Sequence, residues 1–401
     1  MPHEIPLIST IAVGLALAFA GGFASARLGL PPIVGYLMAG VAVGPFTPGY
    51  VADVHLAPQL AEIGVMLLMF GVGMHFSIRD LMAVRRIAVP GAIGQIAVAT
   101  ALGLGISRLW GWSFGAGLVL GLALSIASTV VMLRALEERG MLGLADGRIA
   151  TGWLIVEDLF TVAALVILPA VAAMPGGGGG MSAARLALPL AVTLAKVAGF
   201  VALMLVVGAR VLPWLLEQVV RTGSRELFTL AVVAVALGIA FAASELFGVS
   251  FALGAFCAGV VVSESDHSHR AAEQAKPLED AFAVLFFLSV GMLFDPGILV
   301  RHPFQVLAVL AVILLGKSIA AFAIVRLAGY PAATALTVAA SLAQIGEFSF
   351  MLAALGAALG LLSADGQNLI LAGALISITL NPAAFGLAAA LRRRLDRGQP
   401  A

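Results

Sequence analysis

The chain has 401 residues, 61% of them hydrophobic and 11% charged. Soluble domains carry about 25% charged residues, so this composition excludes an ordinary soluble globule and indicates a polytopic membrane protein. A net charge of +1 on dispersed basic residues argues against a nucleic-acid partner, and the single Cys257 excludes an intrachain disulfide and a cysteine-based metal site.

The chain opens on "MPHEIP", with an acid and no Lys or Arg ahead of the apolar run, so the first segment reads as a span and not a cleaved signal peptide. A span needs about 20 apolar residues. Windows between charged or Gly/Pro-rich breaks predict thirteen transmembrane helices: 5–27, 31–46, 59–76, 87–108, 114–137, 148–173, 184–212, 226–245, 249–263, 280–294, 303–328, 332–360 and 365–391. The second, ninth and tenth are short, which implies tilt, partial re-entry or wrapping by protein. "MPGGGGGMSAA" (174–184) reads as a flexible loop and "ESDHSHRAAEQAKPLED" (264–280) as a polar one. One alternating set of loops holds 17 of the 22 basic residues, including Arg79, Arg85, Arg86 and Arg392, Arg393, Arg394, Arg397; the other set holds only Arg108, Arg185 and Arg301. By the positive-inside rule the N-terminus faces the periplasm and the C-terminus the cytoplasm.

The two halves resemble each other. "AGVAVG" (39–44) matches "AGVVVS" (258–263) at an offset of 219, and "VGMHFS" (72–77) matches "VGMLFD" (290–295) at 218. Ile126, Met132, Leu133 and Leu136 align with Ile345, Met351, Leu352 and Leu355, again at 219. Matched spans are seven apart, an odd number, so the second copy enters the membrane from the opposite side. Residues 1–173 and 226–391 are therefore expected to form inverted six-helix repeats, with 184–213 as a linker helix. Inverted repeats are the architecture of alternating-access transporters, whose sites lie near midplane where broken helices meet. The fifth and twelfth spans carry matched polar stretches at mid-membrane, "ALSIASTVVML" with Ser125, Ser128 and Thr129, and "ASLAQIGEFSFML" with Gln344, Gly346, Glu347 and Ser349. Ser, Thr and Gly weaken a helix locally, so both spans are expected to break there. Two continuous helices packed closely through small residues are the alternative.

Four ionisable residues fall near mid-span: Glu157 and Asp158 in the sixth, Lys317 in the eleventh and Glu347 in the twelfth. Each costs about 2.5–3.5 kcal/mol at the centre of a membrane helix, so they must face the interior and find partners. Glu157 and Asp158 point about 100° apart on a helix. One is expected to pair with Lys317 while the other faces a water-filled cavity, with Thr161 offering an oxygen ligand. A buried ion-pair network that only fixes packing would account for one acid beside the lysine, but not for two. A carboxylate in exchange with water binds protons and small hard cations in competition, and that competition is antiport.

At this point the motifs "GYLMAGVAVGP", "LAEIGVMLLMFGVGMHF", "ALSIASTVVML", "VEDL", "FALGAFCAGVVVSES", "FFLSVGMLFDP" and "QIGEFSF" resemble the monovalent cation:proton antiporter superfamily. The likeness is to the Kef-type potassium efflux branch, with its YbaL- and RosB-like members, and covers nearly the whole chain in order. It implies an all-α membrane protein of the bacterial inner membrane: a homodimer in which each subunit has a dimerisation domain and a mobile core of spans 4–6 and 11–13. It maps the cation- and proton-binding acid to Asp158, its preceding partner to Glu157, the core lysine to Lys317 and the twelfth-span acid to Glu347. Asp or Gln stands at the position of Glu157 in the branches it resembles. Kef-type chains usually continue into a cytosolic nucleotide-binding domain, whereas this sequence stops at "LRRRLDRGQPA", so that domain is expected to be absent. The reading is a non-enzymatic antiporter without cofactor or resident metal, exchanging K⁺ (favoured over Na⁺) for H⁺. A gated potassium channel on the same scaffold, a Na⁺/H⁺ antiporter and a proton-coupled symporter of organic solutes are the alternatives.

Overall fold

The computed structural model describes residues 6–53, 56–75, 78–142, 144–172 and 183–397. The described residues contain helices and no strand. In chain order the helices are α1 (Pro6–Arg27), α2 (Pro32–Val43), α3 (Leu56–His75), α4 (Ile78–Leu109), α5 (Phe114–Ser125), α6 (Thr129–Glu137), α7 (Ala145–Ala172), α8 (Ala183–Leu203), α9 (Ala209–Arg221), α10 (Arg225–Phe247), α11 (Phe251–Ser263), α12 (Ser268–Met292), α13 (Ile298–Arg301), α14 (Pro303–Ala311), α15 (Ser318–Leu327), α16 (Ala332–Ser341), α17 (Glu347–Ala358) and α18 (Ala364–Arg397). Short π-helical segments, Met204–Gly208 and Val312–Lys317, join α8 to α9 and α14 to α15. Among the described residues, nine helical segments are long and apolar enough to cross a membrane, and α2, α11, α16 and α17 are shorter apolar helices. The glycine-rich stretch 174–184 lies outside the described residues except for its last two, which open α8.

The region expected to be a polar loop over 264–280 is helical from Ser268 onward. Its charges sit at helical spacing: Lys276 reaches Glu279 and Asp280 at 3.0 Å each. Pairs three and four residues apart support a helix that a hydropathy window discards as polar. Thr229 of α10 donates to Gln274 at 2.6 Å, which secures this polar first half.

The chain forms two compact units. The first comprises the described residues of Met1–Ala24, Gly35–Phe76 and Gly180–Leu293. Apolar side chains gain little by leaving lipid for protein, so helices in a membrane associate where small residues let backbones close up. Gly40 of α2 meets Gly291 of α12: a Cβ added at Gly40 would lie 2.8 Å from the Gly291 Cα. Gly73 of α3 meets Gly259 of α11 in the same way, at 3.1 Å. Ser224 and Ser250 cap the N-termini of α10 and α11. Gly248 closes α10 in the left-handed region (φ 64°), which a residue without a Cβ enters at no steric cost.

The second unit comprises the described residues of Ser25–Val34, Ser77–Gly179 and Phe294–Ala401. Its core joins Ile87 and Ala92 of α4, Met132 and Leu136 of α6, Trp153 of α7, Val338 of α16 and Phe385 of α18. Gly91 of α4 leaves the space that the Trp153 ring occupies, and Gly121 of α5 lets α5 lie against the α4 backbone near Thr100. Between α12 and α14, Arg301 donates to Asp295 at 2.6 Å and holds its carboxyl below the ordinary carboxylate range.

Candidate functional site

Two helical runs of the second unit are interrupted. α5 ends at Ser125, the chain runs extended through Ile126 (φ −94°, ψ 127°) and Ser128 (φ −77°, ψ 122°), and α6 resumes at Thr129. α16 ends at Ser341, and α17 begins at Glu347 after an extended Gly346 (φ −141°, ψ −151°). At the two ends, Ser125 Oγ donates to the Leu122 carbonyl (2.7 Å) and Ser341 Oγ to that of Thr337 (2.9 Å). Such back-bonding competes with the helical ladder. Ser128 then restarts α6 as its N-cap, its Oγ accepting the Val131 N–H at 3.2 Å.

Backbone groups freed inside a membrane need partners within the protein. The two breaks supply them to each other. Ser128 N–H donates to Gln344 Oε1 (2.9 Å), and Gln344 Nε2 donates back to the Ser128 carbonyl (3.1 Å). Ser349 Oγ donates to the Ala123 carbonyl at 2.6 Å. Neighbouring helices complete the set: Gln95 Nε2 of α4 donates to the Ser125 carbonyl and Asn381 Nδ2 of α18 to that of Ala340, both at 3.0 Å. Gly346 permits the approach, because a Cβ there would lie 2.6 Å from Ser128 Cα.

The four ionisable residues converge on these breaks. Glu157 is fully buried; its Oε2 accepts the Ala127 N–H at 2.8 Å, while Oε1 has no hydrogen bond. Trp153, one turn earlier, is its polar neighbour, yet the indole N–H also lacks hydrogen-bond geometry. Lys317 is fully buried at the end of the Val312–Lys317 π segment and donates to the Gln344 carbonyl at 3.0 Å. The expected direct pair of Lys317 with an acid is therefore replaced by a backbone bond, and Lys317 acts on Glu157 only through its Coulomb field. The unwound stretch before Gly346 exposes the Gln344 carbonyl, which competes for the ammonium. Asp158 is 5% exposed, and its carboxylate meets a single donor, Thr129 Oγ1, at 3.1 and 3.4 Å. Thr161, expected near Asp158, instead donates to the Glu157 carbonyl at 2.8 Å on its own helix. Glu347 is 1% exposed; Ser128 Oγ donates to its Oε2 at 2.8 Å, and its Oε1 has no partner.

Ser128 and Thr129, adjacent in sequence, thus hold one carboxylate each, and Asp158 and Glu347 are near enough for their charges to interact. An ionised carboxylate offers about four acceptor positions, and each of these meets one side-chain donor. Such a cluster of oxygen acceptors can take up protons or a hard cation. No group of three His, Cys, Asp or Glu suited to a resident metal occurs among the described residues.

Three contributors escape the sequence reading: Gln95, Asn381 and the π turn that presents Lys317. Gln95 is the lone amide of an otherwise apolar window, and Asn381 precedes Pro382 near the end of a span, so both carried a signal. The π turn carried none.

The family model for the transmembrane sodium/hydrogen exchanger matches residues 14–389. The putative cation/proton antiporter YbaL of Escherichia coli K12 is 62% identical over 387 residues, 96% of this chain and 69% of YbaL. K⁺ efflux antiporter 4 of Arabidopsis thaliana is 33% identical over 386 residues, 96% of this chain and 64% of that protein. Among solved structures, the sodium proton antiporter MjNhaP1 of Methanocaldococcus jannaschii at pH 8 shares the fold, with a TM-score of 0.74, 16% identity, and coverage of 96% of this chain and 99% of that one.

Proposed function

The chain belongs to the transmembrane sodium/hydrogen exchanger family, and from that premise we propose that it is a secondary antiporter exchanging K⁺, in preference to Na⁺, for H⁺. Asp158 is the carboxylate that alternately holds the cation and the proton. Glu347 supports it from the facing break, and the Glu157–Lys317 couple balances charge behind it. The observation that carries this reading is the pair of breaks bonded through Ser128 and Gln344, with two acceptor-rich carboxylates held by consecutive residues of one break. The names of relatives such as K⁺ efflux antiporter 4 favour potassium, and the family's own name keeps sodium as the alternative.

The cycle is alternating access by a homodimer in the bacterial inner membrane, with thirteen crossings, a periplasmic N-terminus and a cytoplasmic C-terminus. Inverted repeats are supported by packing in the first unit. Gly40 and Gly259 are equivalent at an offset of 219, as are Gly73 and Gly291 at 218. Gly40 packs on Gly291 and Gly259 on Gly73, so exchanging the repeats turns one contact into the other. The second unit gathers the segments that the family resemblance assigns to the ion-carrying core.

The test uses proteoliposomes with an imposed pH gradient, into which K⁺, Na⁺, Li⁺ or choline is added in turn. K⁺ is expected to dissipate the gradient most strongly, and Asp158→Asn to abolish the response while the protein stays folded. Full cation-dependent proton flux in Asp158→Asn removes Asp158 from the mechanism; cation flux that ignores the pH gradient replaces antiport with a channel.

A further inference from the structure

A recess of about 80 Å³ lies at the end of the second unit where α6, α16 and α18 come together. Two guanidinium groups flank it, Arg139 just after α6 and Arg392 near the end of α18, and Leu336, Thr337, Phe385 and Ala388 contribute to its walls. The arginines are held but not used up. Arg139 stacks over the Phe385 ring at 4.5 Å and spends one N–H on the Ala135 carbonyl at 2.7 Å. Among the described residues Arg392 has only Asp146, at 4.0 Å, and that carboxylate already accepts a 2.7 Å bond from Thr334. A guanidinium carries five N–H donors in a planar fork suited to phosphate oxygens. Of the acids nearby, Glu138 lies 3.9 Å from Arg134 and Glu137 is exposed to solvent, while Arg148, Arg393 and Arg394 add exposed positive charge at the same end.

The walls identify the anion. Apart from the two arginines and Thr337, the recess is lined by apolar side chains, Met141, Leu336, Phe385 and Ala388 among them. A phosphate between Arg139 and Arg392 would therefore carry its substituents against apolar walls suited to acyl chains. Basic residues at the end of a membrane helix attract anionic headgroups.

We propose that this recess binds the phosphate headgroup of an anionic phospholipid. The bound lipid clamps the end of α6, which starts at the ion-binding break, to α18, whose Asn381 holds the end of α16. This assignment stands whether or not the chain proves to be an antiporter.

The test uses the purified full chain in detergent, with thermal unfolding and native mass spectrometry on titration with phosphatidylglycerol, phosphatidylcholine or inorganic phosphate. Phosphatidylglycerol should raise the thermal midpoint and remain bound, and phosphatidylcholine should not. R139Q/R392Q should weaken phosphatidylglycerol binding about 100-fold, at roughly tenfold per arginine for a lost charge-assisted hydrogen bond. R393Q/R394Q, which removes equal charge outside the recess, should weaken it far less. Equal losses in the two double variants would reduce the effect to diffuse surface charge and overturn the proposal. Equal stabilisation by inorganic phosphate would make it an anion site and not a lipid site. Should R139Q/R392Q fail to fold, the wild type still decides: no preference for phosphatidylglycerol over phosphatidylcholine sinks the idea.

Discussion

Gly346→Ala is the smallest change that tests whether contact between the two breaks is what holds the site. A Cβ at position 346 would sit 2.6 Å from Ser128 Cα and 2.9 Å from Ser128 Oγ, where ordinary contact begins near 3.4 Å. Nearby backbone cannot rotate away as a side-chain tip can, so the breaks must part by at least about 0.8 Å to clear the Cα, and by more to clear Ser128 Cβ, the closest atom. The backbone angles of Gly346 are extended and open to alanine, so the cost arises from overlap. Parting by that amount carries the reciprocal Ser128–Gln344 bonds (2.9 and 3.1 Å) and the Ser128–Glu347 bond (2.8 Å) past 3.5 Å or close to it. Overpacking costs about 1–3 kcal/mol, and three weakened hydrogen bonds at about 0.5–1.5 kcal/mol each add a comparable amount. The expected loss is about 2.5–7.5 kcal/mol, read as a lowered thermal midpoint in detergent and as loss of cation-dependent proton flux in proteoliposomes. Gly356→Ala, on the same helix but away from the breaks, controls for crowding in α17: its Cβ would meet the tip of Val119 at 2.6 Å. If Gly346→Ala unfolds and transports like the wild type, the breaks are not held by this contact and the reasoning is wrong.

Thr129→Val removes the one hydroxyl that bonds Asp158 and should weaken apparent cation affinity by about 2–10-fold, the equivalent of one hydrogen bond. Thr161→Val, whose hydroxyl turns to its own helix, should leave affinity within about twofold; the reverse order in transport KM would restore Thr161 as the ligand. Lys317→Met leaves Glu157 buried without its opposing field and should destabilise by about 3–5 kcal/mol. Combining it with Glu157→Gln should recover part of that loss, and strictly additive midpoints would show the two charges to be independent. Under the proposed exchange of proton and cation at Asp158, apparent cation KM should rise as pH falls, by about tenfold per unit at the limit for a single shared site. A KM that stays flat from about pH 5.5 to 8.5 while the maximal rate varies would contradict a shared site.

Sequence reading located the broken helices because polar and small residues stand out against an apolar background. A serine in "LSIAST" or a glutamate in "QIGEFS" has no cheap place in a bilayer, so its presence announces a partner. The same logic singles out Glu157, Asp158, Lys317 and Glu347 as acids and a base that need partners inside the protein, and the offset of 218–219 aligns the two breaks. The logic fails where polarity misleads. The first half of α12 reads as a loop because its charges outweigh its helical spacing. Gln95 and Asn381 passed unremarked because a lone amide in a helix carries no charge to explain.

What the sequence determined by itself is inventory: an all-helical membrane chain, which spans carry charge, and where their helices weaken. Which donor meets which acceptor was decided only by tertiary structure. Lys317 had three buried acids to choose from and took the Gln344 carbonyl, and Asp158 took Thr129 and not Thr161. The physical reason is that a break releases backbone carbonyls and N–H groups whose positions depend on how two distant segments cross. Those groups compete with side chains on equal terms in the absence of water. Spacing along one helix fixes the direction of a side chain, but the π turn at Val312–Lys317 and the missing Cβ of Gly346 set what it reaches.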